Sequence, residues 1–285
     1  TSLISLDLSN SVFTSQNDKG ELFYNCISLT SIDLSNVDAK YEKHFRNMFF
    51  NCISLKTINF TNFFAYSIIQ MNSMFYNCHS LKSLDLSGFN TSFVTDMANT
   101  FYNCQNLESL NLSNFNTSLV YQMNSMFSKC SSLKSLDLSS FNTSKVVNME
   151  LMFYKCSQLT SLDLSSFNTS LTNNFNSMFS GCTHLRYINF YNFDLADNSN
   201  YNSLLFETPD NLIICINKGN NLSLLTCHFT FEQCFISDCK FEEYTKRKII
   251  FNNKACIQNC LDDDVNKYEY EGFCYEKCPK GTHSD

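Results

Sequence analysis

The sequence predicts an α/β fold: a right-handed solenoid of about eight or nine coils with a disulfide-rich C-terminal cap. Three observations carry this. Seven cysteines, Cys26, Cys52, Cys78, Cys104, Cys130, Cys156 and Cys182, stand at one unbroken spacing of 26 residues. The letters between them repeat with the same period, and a period between about 20 and 50 residues marks a solenoid, a propeller or an array. Eight more cysteines crowd the chain from Cys215 onward, where the repeat ends.

The coil from Ser131 to Cys156 shows the logic. Leu133, Leu136 and Leu138 have the L-x-x-L-x-L spacing of a leucine-rich repeat. Leu136-Asp137-Leu138 alternates in, out, in, as a strand with one wet face does. Asn142-Thr143-Ser144 then supplies turn and helix-cap chemistry, because a side-chain oxygen can accept from the free N–H groups of a first helical turn. Val146, Met149, Met152, Phe153 and Cys156 follow at spacings of three and four, one apolar stripe on a short helix. No coil can bury that stripe alone, so stacked coils share a continuous core.

Stacking turns repeat positions into ladders. One inner ladder is Leu6, Ile32, Ile58, Leu84, Leu110, Leu136, Leu162 and Ile188. Two more are of phenylalanine, from Phe63 to Phe193 and from Phe23 to Phe179, and they use much of the chain's 28 Phe. The seven periodic cysteines lie on the apolar stripe and read as buried free thiols, small hydrophobes rather than a metal or redox chain.

The pattern M-F-x-x-C-x-x-L-x-x-L-D-L-S-x-F-N-T-S resembles the BspA-like leucine-rich repeats of surface proteins in bacteria and single-celled eukaryotes. The resemblance runs from about Thr1 to Asn217. It departs from ordinary leucine-rich repeats where the usual ladder Asn is replaced by Phe, as at Phe141, which suggests an aromatic spine. The resemblance implies extracellular adhesion or surface display.

Composition narrows the function. A net charge of −7 argues against a nucleic-acid partner, since such proteins show a basic face. No run of about 20 apolar residues could span a membrane in this segment. Thr1 begins inside a strand pattern, as in a mature or trimmed ectodomain. The chain divides into a solenoid over 1–217 and a cysteine-rich cap or stalk over 218–285. Coils one and two are irregular, with Glu42 and Phe45 where Val and Met later stand. The eighth coil decays before Pro209.

In the tail, Cys274-Tyr-Glu-Lys-Cys278-Pro-Lys-Gly resembles the small disulfide modules of protist surface proteins and furin-like repeats. Eight cysteines, Cys215, Cys227, Cys234, Cys239, Cys256, Cys260, Cys274 and Cys278, suit four bridges in an exported chain. Adding 26 to Asn189 lands on Cys215, so Cys215 is expected on the outward strand face, bridged to Cys227, Cys234 or Cys239. Cys256 with Cys274 and Cys260 with Cys278 is the favoured arrangement of the rest.

No catalytic motif is present, and neither an enzyme activity, a cofactor nor a metal is assigned. The five histidines are scattered. The candidate binding surface is the open, concave strand face, through Asp33, Asn59, Asp85, Asn111, Asp137, Asp163 and Asn189. Candidate N-glycosylation sequons begin at Asn59, Asn90, Asn111, Asn116, Asn142, Asn168 and Asn221. The expectation is an extracellular or cell-surface, non-catalytic protein that binds a protein or glycan on another cell or matrix. The alternative is a structural subunit that associates end to end into a fibre or coat.

Overall fold

A computed structural model describes residues 3–13, 20–194, 199–209 and 212–216, with five short strands beyond. The first strands are β1 (Ser5–Asp7), β2 (Ser31–Asp33), β3 (Thr57–Asn59), β4 (Ser83–Asp85) and β5 (Ser109–Asn111). They are followed by β6 (Ser161–Asp163), β7 (Tyr187–Phe190) and β8 (Ile213–Ile216). Pairing is parallel and in register with the 26-residue step: Leu6 faces Ile32, Ile32 faces Ile58, and Asn189 faces Cys215. Ladder hydrogen bonding is interrupted between β3 and β4 and between β5 and β6. Leu136 of the unassigned intermediate position still packs on the core.

Among the described residues the predicted helices are replaced by turns. Every regular element there is a strand, so the fold is a parallel β-solenoid of about eight turns rather than an α/β one. The segment read as a helix is a series of tight turns bonded to the neighbouring coil. Met123, Ser125, Phe127 and Lys129 donate their N–H groups to Asn148, Glu150, Met152 and Tyr154 of the next coil, at 2.6–3.1 Å. The alternate residues Met126, Ser128 and Cys130 donate three residues back along their own chain. Ser125 and Lys129 have φ of 55° and 62°. That left-handed conformation suits Asn better than most residues. Asn25, Asn51, Asn77 and Asn103 fill the same column as Lys129, with φ of 56–60°. Half the backbone bonds therefore point between coils, where a helix would keep them along the chain.

The apolar spacing of three and four survives because each tight turn also returns its side chains inward. Val146, Met149, Met152 and Phe153 are fully buried. Phe23, Phe49, Phe75, Phe101, Phe127, Phe153 and Phe179 form one stack with neighbouring centroids 5.2–5.6 Å apart and planes within 15°. Such offset stacking adds to simple burial. The second spine is also stacked where Phe115, Phe141 and Phe167 follow one another at 6.4 Å.

Asn-Thr-Ser does not cap a helix. Its Thr is buried and joins two coils. Thr117 Oγ1 donates to the carbonyl of Asn142 at 2.8 Å and accepts from the N–H of that same residue at 2.8 Å. Thr91 holds Asn116 the same way, at 3.0 and 2.8 Å. Thr117→Val keeps the shape but strands one donor and one acceptor, a loss of about 1–3 kcal/mol. Thr117→Ser keeps the hydroxyl and loses only a methyl, about 1 kcal/mol. Equal denaturation midpoints for the two variants would show that the hydroxyl does not join the coils.

Beyond the coils, β9 (Cys234–Ile236) adds in parallel to β8, with Cys234 opposite Ile213. A separate sheet has the order β11-β10-β13-β12, formed by β10 (Lys248–Ile250), β11 (Cys256–Ile257), β12 (Tyr268–Tyr270) and β13 (Phe273–Tyr275). Cys215 occupies the column expected of it and is disulfide-bonded. The expectation that it lies open on the outer face is wrong: it is completely buried. The other seven tail cysteines and their pairing lie outside the described side chains, so a disulfide-rich cap is not shown.

Candidate surface of the strand face

From β1 to β6 each short strand presents its middle residue toward the core and its two flanks outward. In β4, Leu84 is buried while Ser83 and Asp85 are exposed. The period-two alternation of an extended chain sets this. The outward flanks stack into a Ser/Thr column and an Asp/Asn column. Over β1 to β3 the face holds a hollow of about 530 Å³, lined by Ser31, Asp33, Thr57 and Asn59 among others.

The Asp/Asn column has a structural duty that the sequence reading missed. Each side chain turns back to accept the N–H two residues on, as when Asp33 accepts from Ser35, Asp85 from Ser87, Asp137 from Ser139 and Asp163 from Ser165 at 2.8–2.9 Å. Asn59 and Asn111 do the same for Thr61 and Ser113. This Asx turn ends the strand. The signal for it was the Ser or Thr that follows two positions later from Asp7 to Asp163; only Asn189 has Tyr191 there instead. The Asn members also bridge strands. Asn59 Nδ2 donates to both carboxylate oxygens of Asp33 at 3.1–3.2 Å, and Asn111 Nδ2 donates to Asp85 at 3.0 Å. A neutral donor between two carboxylates removes a like-charge contact.

These bonds also set the electrostatics. Hydrogen bonds from Ser35 hold the Asp33 carboxyl below the ordinary carboxylate range, and the backbone N–H groups of Ser87 and Ser139 do so for Asp85 and Asp137. The face therefore stays anionic at neutral pH. One expected member does not belong to it. Asn189 is only 4% exposed, and Tyr187 beside it is buried as well, so the open face does not extend to β7.

The sequon residues divide between two places. Asn59 and Asn111 lie exposed on the strand face, while Asn116, Asn142 and Asn168 are exposed at the turn corner. Asn90 is half-buried, and Asn221 lies outside the described residues. At the corner each Asn Oδ1 accepts from the Ser two residues on, at 3.1 Å for Asn116, Asn142 and Asn168.

The ladder thiols are not part of any exposed site. Cys52, Cys78, Cys104, Cys130, Cys156 and Cys182 are buried and carry no disulfide; Cys26 is only half-buried, against expectation. Each of the six donates Sγ–H to a Phe carbonyl of the preceding coil at 3.1–3.2 Å, as Cys130 does to Phe101. Desolvation pushes the thiols of Cys52 and Cys182 up to about 12, and those between them well above the ordinary value.

The three histidines among the described residues each bond to a neighbouring coil. His44 Nδ1 lies 3.0 Å from Gln70 Oε1, His79 Nε2 lies 2.9 Å from Asn103, and His184 Nδ1 lies 2.7 Å from the Ser157 carbonyl. Among the described residues no three His, Cys, Asp or Glu side chains are grouped to hold a metal. No helix there is long and apolar enough to cross a membrane.

The family model described as a Mycoplasma protein of unknown function, DUF285, matches residues 8–104 and again 69–193. The chain belongs to the DUF285 family. The match covers the regular coils and stops before the DUF285 chain reaches β8. The crystal structure of a leucine-rich repeat protein from Bacteroides ovatus aligns with 16% sequence identity and a TM-score of 0.31. That alignment covers 75% of this DUF285 chain and 63% of the other chain. No curated protein matches.

Proposed function

We propose that this DUF285 protein is a non-catalytic, extracellular or cell-surface protein of the BspA-like kind, which mediates adhesion or recognition through its open strand face. One observation carries the reading. Both Phe ladders are buried and the Leu/Ile strand ladder is at least half-buried, while from β1 to β6 the outward flanks are a continuous polar surface, hollowed over β1 to β3. Solenoids use extended faces of this sort for partners. The ligand sought is a protein or glycan of another cell or matrix. The tail after residue 217 would serve as cap or stalk, with its remaining cysteines bridged, and the exposed sequons would carry sugar if the chain passes a glycosylating compartment.

The fibre reading draws less support. End-to-end stacking would have to pair the edge strands β1 and β9, whereas the polar flanks from β1 to β6 face away from such a joint.

The test uses antibodies against the coils on intact source cells. Staining is expected before permeabilisation. The soluble chain should then compete with attachment of those cells, and S31R/T57R, which fills the hollow, should lose most of that competition with an unchanged circular dichroism spectrum. Staining only after permeabilisation, or undiminished competition by S31R/T57R, would overturn the reading.

A further inference from the structure

A second surface lies where the tight turns meet the strand side. An open groove of about 480 Å³ runs across five coils, from Asn103 to Glu207. Its floor includes two lysines one coil apart, Lys129 and Lys155, and the hydroxyl column Ser131, Ser157 and Thr183. Lys129 Nζ donates to Tyr102 Oη at 2.8 Å and lies 5.0 Å from the centre of that ring. Lys155 Nζ lies 5.3 Å from the ring of Tyr154. An ammonium has three donors, so both lysines retain some. Neither has a carboxylate partner: among the described residues the single ion pair is Lys40 with Asp38. Gly181 leaves room at this point, since a Cβ there would stand 2.8 Å from Lys155 Cγ.

We propose that this groove binds a linear acidic polysaccharide lying along the solenoid axis, its carboxylates or sulfates on Lys129 and Lys155. The proposal rests on the extracellular reading above and names a ligand class for it. Three features favour a glycan. First, a peptide would add to a strand edge, but the backbone here is already spent: Lys129, Lys155 and Gly181 donate their N–H groups to the next coil at 2.6–2.8 Å. Recognition must therefore come from side chains. Second, Ser131 and Ser157 donate to carbonyls of the preceding coil at 3.1 and 3.4 Å, which leaves their lone pairs to accept from sugar hydroxyls. These hydroxyls recur once per coil, about 4.8 Å apart, close to the rise of a sugar ring in an extended chain. Third, the Tyr102 ring lies under Lys129 and stacks on Tyr76 at 4.5 Å, and Lys155 lies over Tyr154, so these rings are engaged with lysines and with each other's column instead of standing free to stack a nucleobase. Glu207, two coils past Lys155, sets the limit for an anionic chain.

The experiment measures the affinity of the whole chain for heparin, polygalacturonate, dextran and poly-glutamate at low and high salt. Heparin or polygalacturonate should bind and weaken with salt, and dextran should not bind. K129Q/K155Q should lower that affinity at least tenfold, K129R/K155R should retain it, and K145Q, a lysine at the exposed turn corner, should not change it. Polygalacturonate offers carboxylates alone and heparin both groups, so binding of heparin alone would assign the lysines to sulfate. Binding of neither, equal binding of dextran or of poly-glutamate, or an equal loss in K145Q would overturn the proposal. If the acidic glycans fail while the soluble chain still competes for cell attachment, the ligand class is wrong and the surface reading stands.

Discussion

Phe127→Ala should unfold the middle of the solenoid. Its ring is fully buried between Phe101 at 5.6 Å and Phe153 at 5.5 Å. Truncation removes the transfer free energy of the ring and leaves a cavity that two fixed neighbours cannot fill, a cost of about 3–5 kcal/mol. The loss should spread, because each coil is stabilised mainly by its neighbours. Phe23→Ala, at the end of the stack, removes one ring contact instead of two and should cost less. Equilibrium denaturation followed by circular dichroism reads both. Equal midpoints for Phe23→Ala and Phe127→Ala would show that the stack is not coupled along its length.

The second large effect is alkaline unfolding. The folded chain raises the pKa of Cys52 and Cys182 from the ordinary 9.0 to about 12, first through desolvation. The neutral thiol is the form that the core accepts. A group whose folded pKa lies above its unfolded value contributes fully below the unfolded value and loses that contribution as pH rises toward the folded one. Stability should therefore hold up to about pH 9 and fall steeply from there toward about 12. The six buried thiols act together, since each lies in the coil next to another. Thiolate ultraviolet absorbance should appear in one step with the loss of circular dichroism. Thiolate absorbance that rises while the spectrum stays native would show that burial does not gate ionisation. Below that range, an alkylating reagent at about pH 8 should reach Cys26 first and the other ladder thiols only after denaturation.

The coil was legible in outline from Leu136, Asp137 and Leu138, because alternation along a strand leaves a plain trace in the letters. The buried thiols and both Phe spines were legible from the unbroken period of 26, which stacks like on like. The helix was not. Val146, Met149, Met152, Phe153 and Cys156 carry helical spacing, yet tight turns with left-handed residues also bring every third or fourth side chain inward. The contrary signal was present at Asn25, Asn51, Asn77 and Asn103, a column that favours positive φ and sits poorly inside a helix. Thr117 looked like a cap because capping and inter-coil bonding both need a small hydroxyl at a bend. On the candidate surface, the exposed columns followed from the period. The Asx turns were written in the Ser or Thr two positions on but went unread, and the burial of Asn189 and Cys215 was not legible, since it depends on what a side chain meets beyond its own coil. The cationic groove was invisible too: Lys129 and Lys155 are ordinary letters until stacking places them side by side.

The bonds that join one coil to the next on the turn side, such as Phe127 to Met152, run along the axis of the stack. If this chain tethers one body to another by its two ends, tension acts on those bonds coil by coil instead of on all of them at once. Each coil lost then releases 26 residues of slack, and the remaining stack stays intact. At up to about 3.3–3.6 Å per residue, one coil lengthens the tether by about 90 Å. Such a chain yields by paying out length at nearly constant force, and it recovers when the load falls, because the next intact coil is already the template for rewinding.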